Sequence, residues 1–263
     1  MHLRNWQQKI IDDFPVIIKQ HHRFILKAPT GAGKTVLASE IIERFYQDKK
    51  IVVLCHRLVL LEQLEQALGK KHNIHKLTPS ETGPAFSGYD VLLSTHMRAK
   101  EVLADAILKA DLIIVDEAHR VSPNGKGYKW IVDDFNNNGK KTAQFIGLTA
   151  SPERRTGDQR DQLNLAFDAI IDCANIENLI ADEVLVQPIY RPHFVHDLDL
   201  GGIDISSGDF PVSTLAPAII QSSMIDYALW SYGEERLKLS NKPISAWFCP
   251  GIDVAKATLE SIQ

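Results

Sequence analysis

The stretch FILKAPTGAGKT, residues 24–35, constrains this chain more than any other. Phe24, Ile25 and Leu26 form an apolar run of strand length that enters Pro29, Gly31 and Gly33. Lys34 and Thr35 then open the helical pattern Val36, Leu37, Ile41 and Ile42. Strand, glycine loop and helix in this order suit a triphosphate, whose closely spaced charges need donors at fixed positions. Glycines let successive backbone N–H groups point inward, and the helix adds its positive dipole end at the same place. The spacing assigns Thr30, Gly31, Ala32, Gly33, Lys34 and Thr35 to the nucleotide, with Lys34 reaching the β- and γ-phosphates and the Thr35 hydroxyl ligating Mg²⁺. Ala28 stands where such loops usually begin with glycine, a change of one methyl group. A turn that merely contains Gly-Lys-Thr is the competing reading, and the flanking strand and helix weigh against it.

The rest of the chain is compatible with one large α/β domain, or one domain and part of another, at 263 residues. No apolar run approaches the roughly 20 residues of a membrane span, and the amphipathic, charged N-terminus is unlike a signal peptide, so a cytoplasmic location is expected. Cys55, Cys173 and Cys249 have no CxxC spacing and read as core thiols rather than as a disulfide framework or metal site. The net charge of −4 argues against a protein coated in positive charge, yet a nucleic-acid groove confined to one face remains compatible with it.

Along the chain, apolar runs of strand length recur at residues 51–55, 91–94, 112–115 and 144–148, with a weaker one at 74–77, separated by helical patterns. Residues 3–14 form an amphipathic helix that either caps the sheet or contacts nucleotide. Further helices are expected at 97–108, 158–167 and 176–180, and a strand interrupted by Pro188 at 184–190. Residues 196–213 read as a connecting loop, 214–239 as a long helix, and 243–248 as a fresh buried strand followed by a helix from 253.

The second chemical element follows the strand at 112–115. Asp116 there can hold Mg²⁺, and Glu117 can orient the water for in-line attack on the γ-phosphate. An acidic pair alone is weak, but one that ends a buried strand in a chain with the loop above is specific. Each candidate falls at the carboxyl end of a strand, where open parallel sheets bind ligands.

The ordered set APTGAGKT, LCHRLVLLEQ, STHM, DEAH and GLTASPER resembles the superfamily two helicases and translocases of the DEAH-containing branch, and within them the group similar to the XPB and phage-type DNA helicases. The resemblance covers residues 1–190 and resumes at KPISAWFCPGIDVAKA. It implies an α/β fold: a RecA-like P-loop NTPase with a mostly parallel sheet and helices on both faces at residues 1–195, a helical connector at 196–240, and an incomplete second RecA-like domain from 241 to 263. It also implies an ATP hydrolase that moves along or unwinds nucleic acid, DNA in preference to RNA, with ATP and Mg²⁺ as cofactors.

Residue by residue, the resemblance gives Gln7 to the base edge with Arg4 or Trp6 nearby. His56, Arg57 and Thr95 would touch the phosphate backbone of a strand, a role suited to short polar donors and a guanidinium. A satisfied histidine at a strand end is the plainer reading of His56. His119, Thr149 and Ser151 would couple the ATP site to the strand-binding face, although the hydroxyls also suit a cap before Pro152. Arg154 and Arg155 either belong to that face or form a solvated pair. Lys34, Asp116 and Glu117 are the catalytic set.

Family members hydrolyse ATP between two RecA-like domains, the second supplying an arginine finger worth about 10³ to 10⁵ in rate. No residue up to Gln263 matches that finger, so this polypeptide alone is expected to bind ATP·Mg²⁺, turn it over slowly and leave duplexes closed. The alternatives are a non-unwinding duplex translocase of a restriction or repair complex, and a binding module without robust catalysis.

Overall fold

The computed structural model describes residues 2–55, 58–77, 88–95, 104–121, 143–152, 163–190, 194–201, 211–238 and 245–262. The chain divides into two compact units, Met1–Gln187 and Pro188–Gln263.

The first unit is built on a seven-stranded sheet whose pairings are all parallel. Its strands are β1 (Arg23–Lys27), β2 (Ile51–Cys55), β3 (Ile74–Lys76), β4 (Val91–Thr95), β5 (Leu112–Asp116), β6 (Gln144–Thr149) and β7 (Ala169–Asp172), in the spatial order β3-β4-β2-β5-β6-β1-β7. The continuous apolar runs sort by alternation onto two faces. Phe24, Leu26, Ile51, Val53, Leu112 and Ile114 join one core; Ile25, Val52, Leu54, Ile113, Val115 and Phe145 join the other. Helices α1 (Asn5–Gln20), α2 (Lys34–Phe45) and α3 (Leu58–Leu68) cover the first face, and α4 (Ala104–Lys109) and α5 (Leu163–Ala166) the second. A period of two with every residue apolar requires such cover on both sides. This is the RecA-like α/β architecture expected from the sequence.

Helix α1 runs through Pro15 to Gln20, beyond the expected end at residue 14. Pro15 lies on the exposed face, while the stripe Trp6, Ile10, Ile11, Phe14 and Ile17 is buried. The Phe14 ring meets the rings of Phe24, Phe45 and Tyr46 at centroid distances of 4.8 to 6.4 Å. An interior proline costs a helix about 3 kcal/mol, a loss that burial of Phe14 and Ile17 on the same helix offsets.

Two expected strands are absent. Residues 184–190 are irregular, because α6 (Ile176–Ala181) ends in a turn with Glu183 at φ 57°, and the N–H groups of Val184 and Leu185 both donate back to the Leu179 carbonyl. Pro188 has no N–H to give a ladder. Residues 245–248 likewise form no strand, and Phe248 is 98% exposed rather than buried. A strand needs a neighbour to pair with, and the second unit has no strand among its described residues. β7 is a strand that the apolar-run reading passed over, since its residues alternate between half-buried and exposed at the sheet's edge.

The second unit consists of α7 (Val212–Gln221), α8 (Met224–Leu237) and α9 (Ile252–Ile262). The expected long helix is broken at Ser222 and Ser223, where the Asp197 carboxylate accepts from both the Ser223 N–H and its hydroxyl at 2.8 Å. Ala216, Ile219 and Val254 form its buried core, and no residue of α8 is buried. Among the described residues, no helix is long and apolar enough to cross a membrane.

Candidate functional site

The sheet order sets the site. β5, β6 and β1 are adjacent, and their registers align Asp116 with Leu148 and Leu148 with Leu26, while Lys27 pairs with Thr149. The glycine loop after β1, the acidic turn after β5 and the Thr-Ala-Ser turn after β6 therefore leave the same edge of the sheet at the same level. Neighbouring strands lie about 4.8 Å apart, so the loop and the acids are separated by roughly two spacings.

The loop has the conformation its glycines allow. Gly31 has φ 79°, and Gly33 has φ 98° and caps the N-terminus of α2. Both lie in the left-handed region, which a side chain strains. The first turn of α1 grips the back of this loop. Arg4 donates to the carbonyls of Gly31 at 3.2 Å and Ala32 at 2.5 Å, and Gln7 Nε2 donates to the carbonyl of Gly33 at 3.0 Å. Gln7 is itself held by the Arg4 N–H at 2.9 Å and is 2% exposed. The helix thus both packs on the sheet and reaches the loop. Anchoring three successive carbonyls orients the peptide units from behind. Trp6 lies in the core, 8% exposed, in the same apolar cluster as Ala28 and Ala32 of the loop.

Lys34 is half-buried and folds back over the loop, donating to the carbonyls of Ala28 at 3.1 Å and Pro29 at 3.2 Å. Burial holds its ammonium below the usual lysine range, while the charges of Glu117 and Asp116 act in the opposite direction. The cation and both acids thus share one electrostatic environment. Thr35 and Asp116 line a single small cleft with Val53, Cys55, Ile114 and Leu148. A hydroxyl and a carboxylate facing one cleft are hard oxygen donors of the type Mg²⁺ takes, so these residues fit that ion. Cys55, also in this cleft, is buried, and burial followed by the charge of Asp116 pushes its thiol far up.

On the other side of the strand ends, Glu117 has φ 52° and precedes the 3₁₀ turn Ala118–Arg120. The His119 Nδ1 lies 3.1 Å from Glu117 Oε2 and 2.9 Å from Thr149 Oγ1. Thr149 is fully buried, and its hydroxyl also accepts from the Ser151 N–H at 3.3 Å. One hydroxyl therefore both caps the turn and meets His119. The structure brings together Glu117, His119, Thr149 and Ser151, and separately Arg4, Gln7 and residues 31–34. Thr95 ends β4 in register with Cys55, on the same edge of the sheet. His56, Arg57, Arg154 and Arg155 lie outside the described residues.

Gly147 was missed by the sequence reading. It lies in the middle of β6, and a Cβ built on it would come 2.6 Å from the Ala118 Cβ and 2.9 Å from the Phe167 ring. A lone glycine in an apolar strand, QFIGLT, signals close approach of another element.

With this fold and this order of loop and acid along one edge, the first unit has the RecA-like architecture also seen in a solved helicase domain. Residues 1–154 match the type III restriction enzyme res subunit, and the chain belongs to that family. A putative helicase of a Sulfolobus islandicus filamentous virus is 27% identical over 176 residues, 62% of this chain and 30% of that protein. The type I restriction enzyme EcoAI endonuclease subunit of Escherichia coli is 29% identical over 164 residues, 56% of this chain and 19% of that one. The chain therefore spans less than a third of either curated relative. Among solved structures, the Hef helicase domain of Pyrococcus furiosus superposes with a TM-score of 0.56 at 21% identity, covering 99% of this chain and 52% of that one. A nuclease-deletion mutant of the restriction-modification enzyme LlaGI superposes with a TM-score of 0.51 at 16% identity, covering 100% and 26%.

Proposed function

We propose that the first unit is the ATP-binding half of a nucleic-acid motor that uses ATP hydrolysis to move along or unwind DNA. The observation that carries this is the placement of Lys34 over the glycine loop, within the fields of Asp116 and Glu117. A half-buried ammonium held by two carbonyls, its charge disfavoured by burial, gains from an incoming polyanion whose charge adds to that of the two acids. Loop N–H groups and Lys34 would bind the phosphates. Gln7 and Arg4 would meet the base while keeping the loop carbonyls anchored. Thr35 and Asp116 would hold Mg²⁺, which when bound neutralises charge on the phosphate oxygens. Glu117 would accept the proton of the attacking water, with His119 fixing its carboxylate, and Thr149 and Ser151 would pass the state of that turn to the neighbouring β6 edge. Thr95, with His56 and Arg57, would contact the strand backbone.

Under this reading the second unit is the connector and opening of a second motor domain, and repeated closure of two such domains converts hydrolysis into steps. The family match and the similarity to the EcoAI subunit favour a second reading in which the motor translocates on duplex DNA without separating it. Lys34→Ala tests the shared basis. Binding of a fluorescent ATP analogue to the 263-residue chain should weaken by about 10- to 100-fold, as expected for one charged partner of phosphate. Equal affinity in the variant would remove the ATP site. Strand-displacement and triplex-displacement assays on the full protein then separate unwinding from duplex translocation.

A further inference from the structure

We infer that Gly147 is a positioning residue for Glu117: its missing side chain is the space in which the turn bearing Glu117 and His119 is seated. This deepens the proposed reading and rests on it for the role of Glu117 alone.

Gly147 lies on the same face of β6 as Phe145 and Thr149, and that face packs against Ala118 and Phe167. Ala118 is fully buried and stands between Glu117 and His119. A Cβ on residue 147 would approach the Ala118 Cβ to 2.6 Å, whereas carbon atoms rest about 3.5 to 4.0 Å apart, so something must move by about 1 Å. Three elements could yield. β6 is pinned on both edges, paired with β5 through Leu112–Asp116 and with β1 through Arg23–Lys27. The Phe167 contact involves the far end of a ring and can be relieved by a small rotation, although that ring stacks on Phe145 at 5.1 Å. Among the described residues the turn has no ladder pairing: it follows the end of β5, is held to β6 by the His119 side chain and seats Ala118 and Val121 in the core, and Glu117 already has a left-handed backbone. The displacement therefore falls on the turn. It pulls His119 Nδ1 from Thr149 Oγ1 and moves the Glu117 carboxylate, and about 1 Å of misplacement costs on the order of 10²-fold in a positioned step.

The test is a double-variant cycle of Gly147→Ala and Ala118→Gly, the second removing the atom that the first would strike. Two readouts are followed in the 263-residue chain: the side-chain ¹⁵N resonances of His119, assigned with His119→Asn, and single-turnover hydrolysis of ATP with enzyme in excess. Gly147→Ala should shift the His119 Nδ1 resonance and slow single turnover by about tenfold or more, with ATP affinity changed less than about threefold. The double variant should recover most of both losses. An unshifted resonance in Gly147→Ala, or a double variant no better than the single one, overturns the inference. Should Gly147→Ala not fold, the double variant decides: recovery of fold and His119 resonance supports the inference, and its failure overturns it. Restored resonances with turnover indifferent to Gly147→Ala, Glu117→Gln and Lys34→Ala alike would overturn the ATPase reading and the inferred role of Gly147 with it, leaving only the seating of the turn.

Discussion

The glycine loop and the acidic turn lie at the same edge of one sheet, and both contain left-handed backbone, yet they are held in opposite ways. In the loop, Gly31 and Gly33 adopt φ 79° and 98° without steric penalty, and side chains from α1 bond the carbonyls behind them. In the turn, Glu117 adopts φ 52° against its own preference, and what holds it is Ala118 packed on Gly147 and His119 bonded to Thr149. A loop whose shape follows from its residue types tolerates a distant change. A turn whose shape depends on packing fails when a neighbour gains one methyl group.

The largest test of this contrast removes chemistry while leaving both shapes. Glu117→Gln keeps the left-handed turn and its hydrogen-bonding size, and ATP turnover should fall by about 10²- to 10⁴-fold, the usual worth of a general base, with ATP affinity nearly unchanged. Unchanged turnover would mean that another group positions the water.

Gly33→Ala attacks the loop where its shape depends on glycine. Left-handed strain costs about 1–3 kcal/mol, and the new Cβ would lie 2.9 Å from Gln7 Nε2. Urea unfolding should show a loss in that range together with weaker ATP binding; a neutral result would mean that the loop relaxes to another conformation. A smaller effect is expected from Gln7→Ala, which removes one neutral donor to the Gly33 carbonyl and should cost about 0.5–1.5 kcal/mol of stability by the same measurement.

The smallest effect is electrostatic. Lys34 has a folded-state pKa below its ordinary 10.5, so its charge opposes folding at neutral pH. As pH rises from the lowered value toward 10.5, the folded state releases the proton first and that cost is relieved. The unfolding free energy of the protein should therefore rise relative to that of Lys34→Met across this window, while at pH 7 the variant without nucleotide should be at least as stable. A difference that grows in the other direction would place Lys34 in a site that favours its charge.

Much of the first unit was legible in the amino-acid order. The runs within β1, β2, β4, β5 and β6 carry apolar residues on both faces because both faces are covered, and this pattern survives without knowledge of what covers them. Residue order also pointed to 30–35 and 116–117 as candidates, because phosphate and metal chemistry restricts residue type and spacing locally. The strand expected at 243–248 failed because an apolar run becomes a strand only through a partner, and among the described residues of the second unit there is none. β7 was passed over because an edge strand alternates and resembles a loop.

Residue order by itself determined the alternation of strand and helix, the glycine-permitted loop and the acid at the end of a buried strand, since each depends on side chains within a few positions of one another. Only the tertiary structure decided that Arg4 and Gln7 bond the back of that loop, that His119 lies between Glu117 and Thr149, and that Gly147 makes room for Ala118. Apart from the neighbouring Glu117–His119 pair, those contacts join residues 26 to 30 positions apart. Distances that far along a chain are set by the order of strands in the sheet, and no local preference encodes that order.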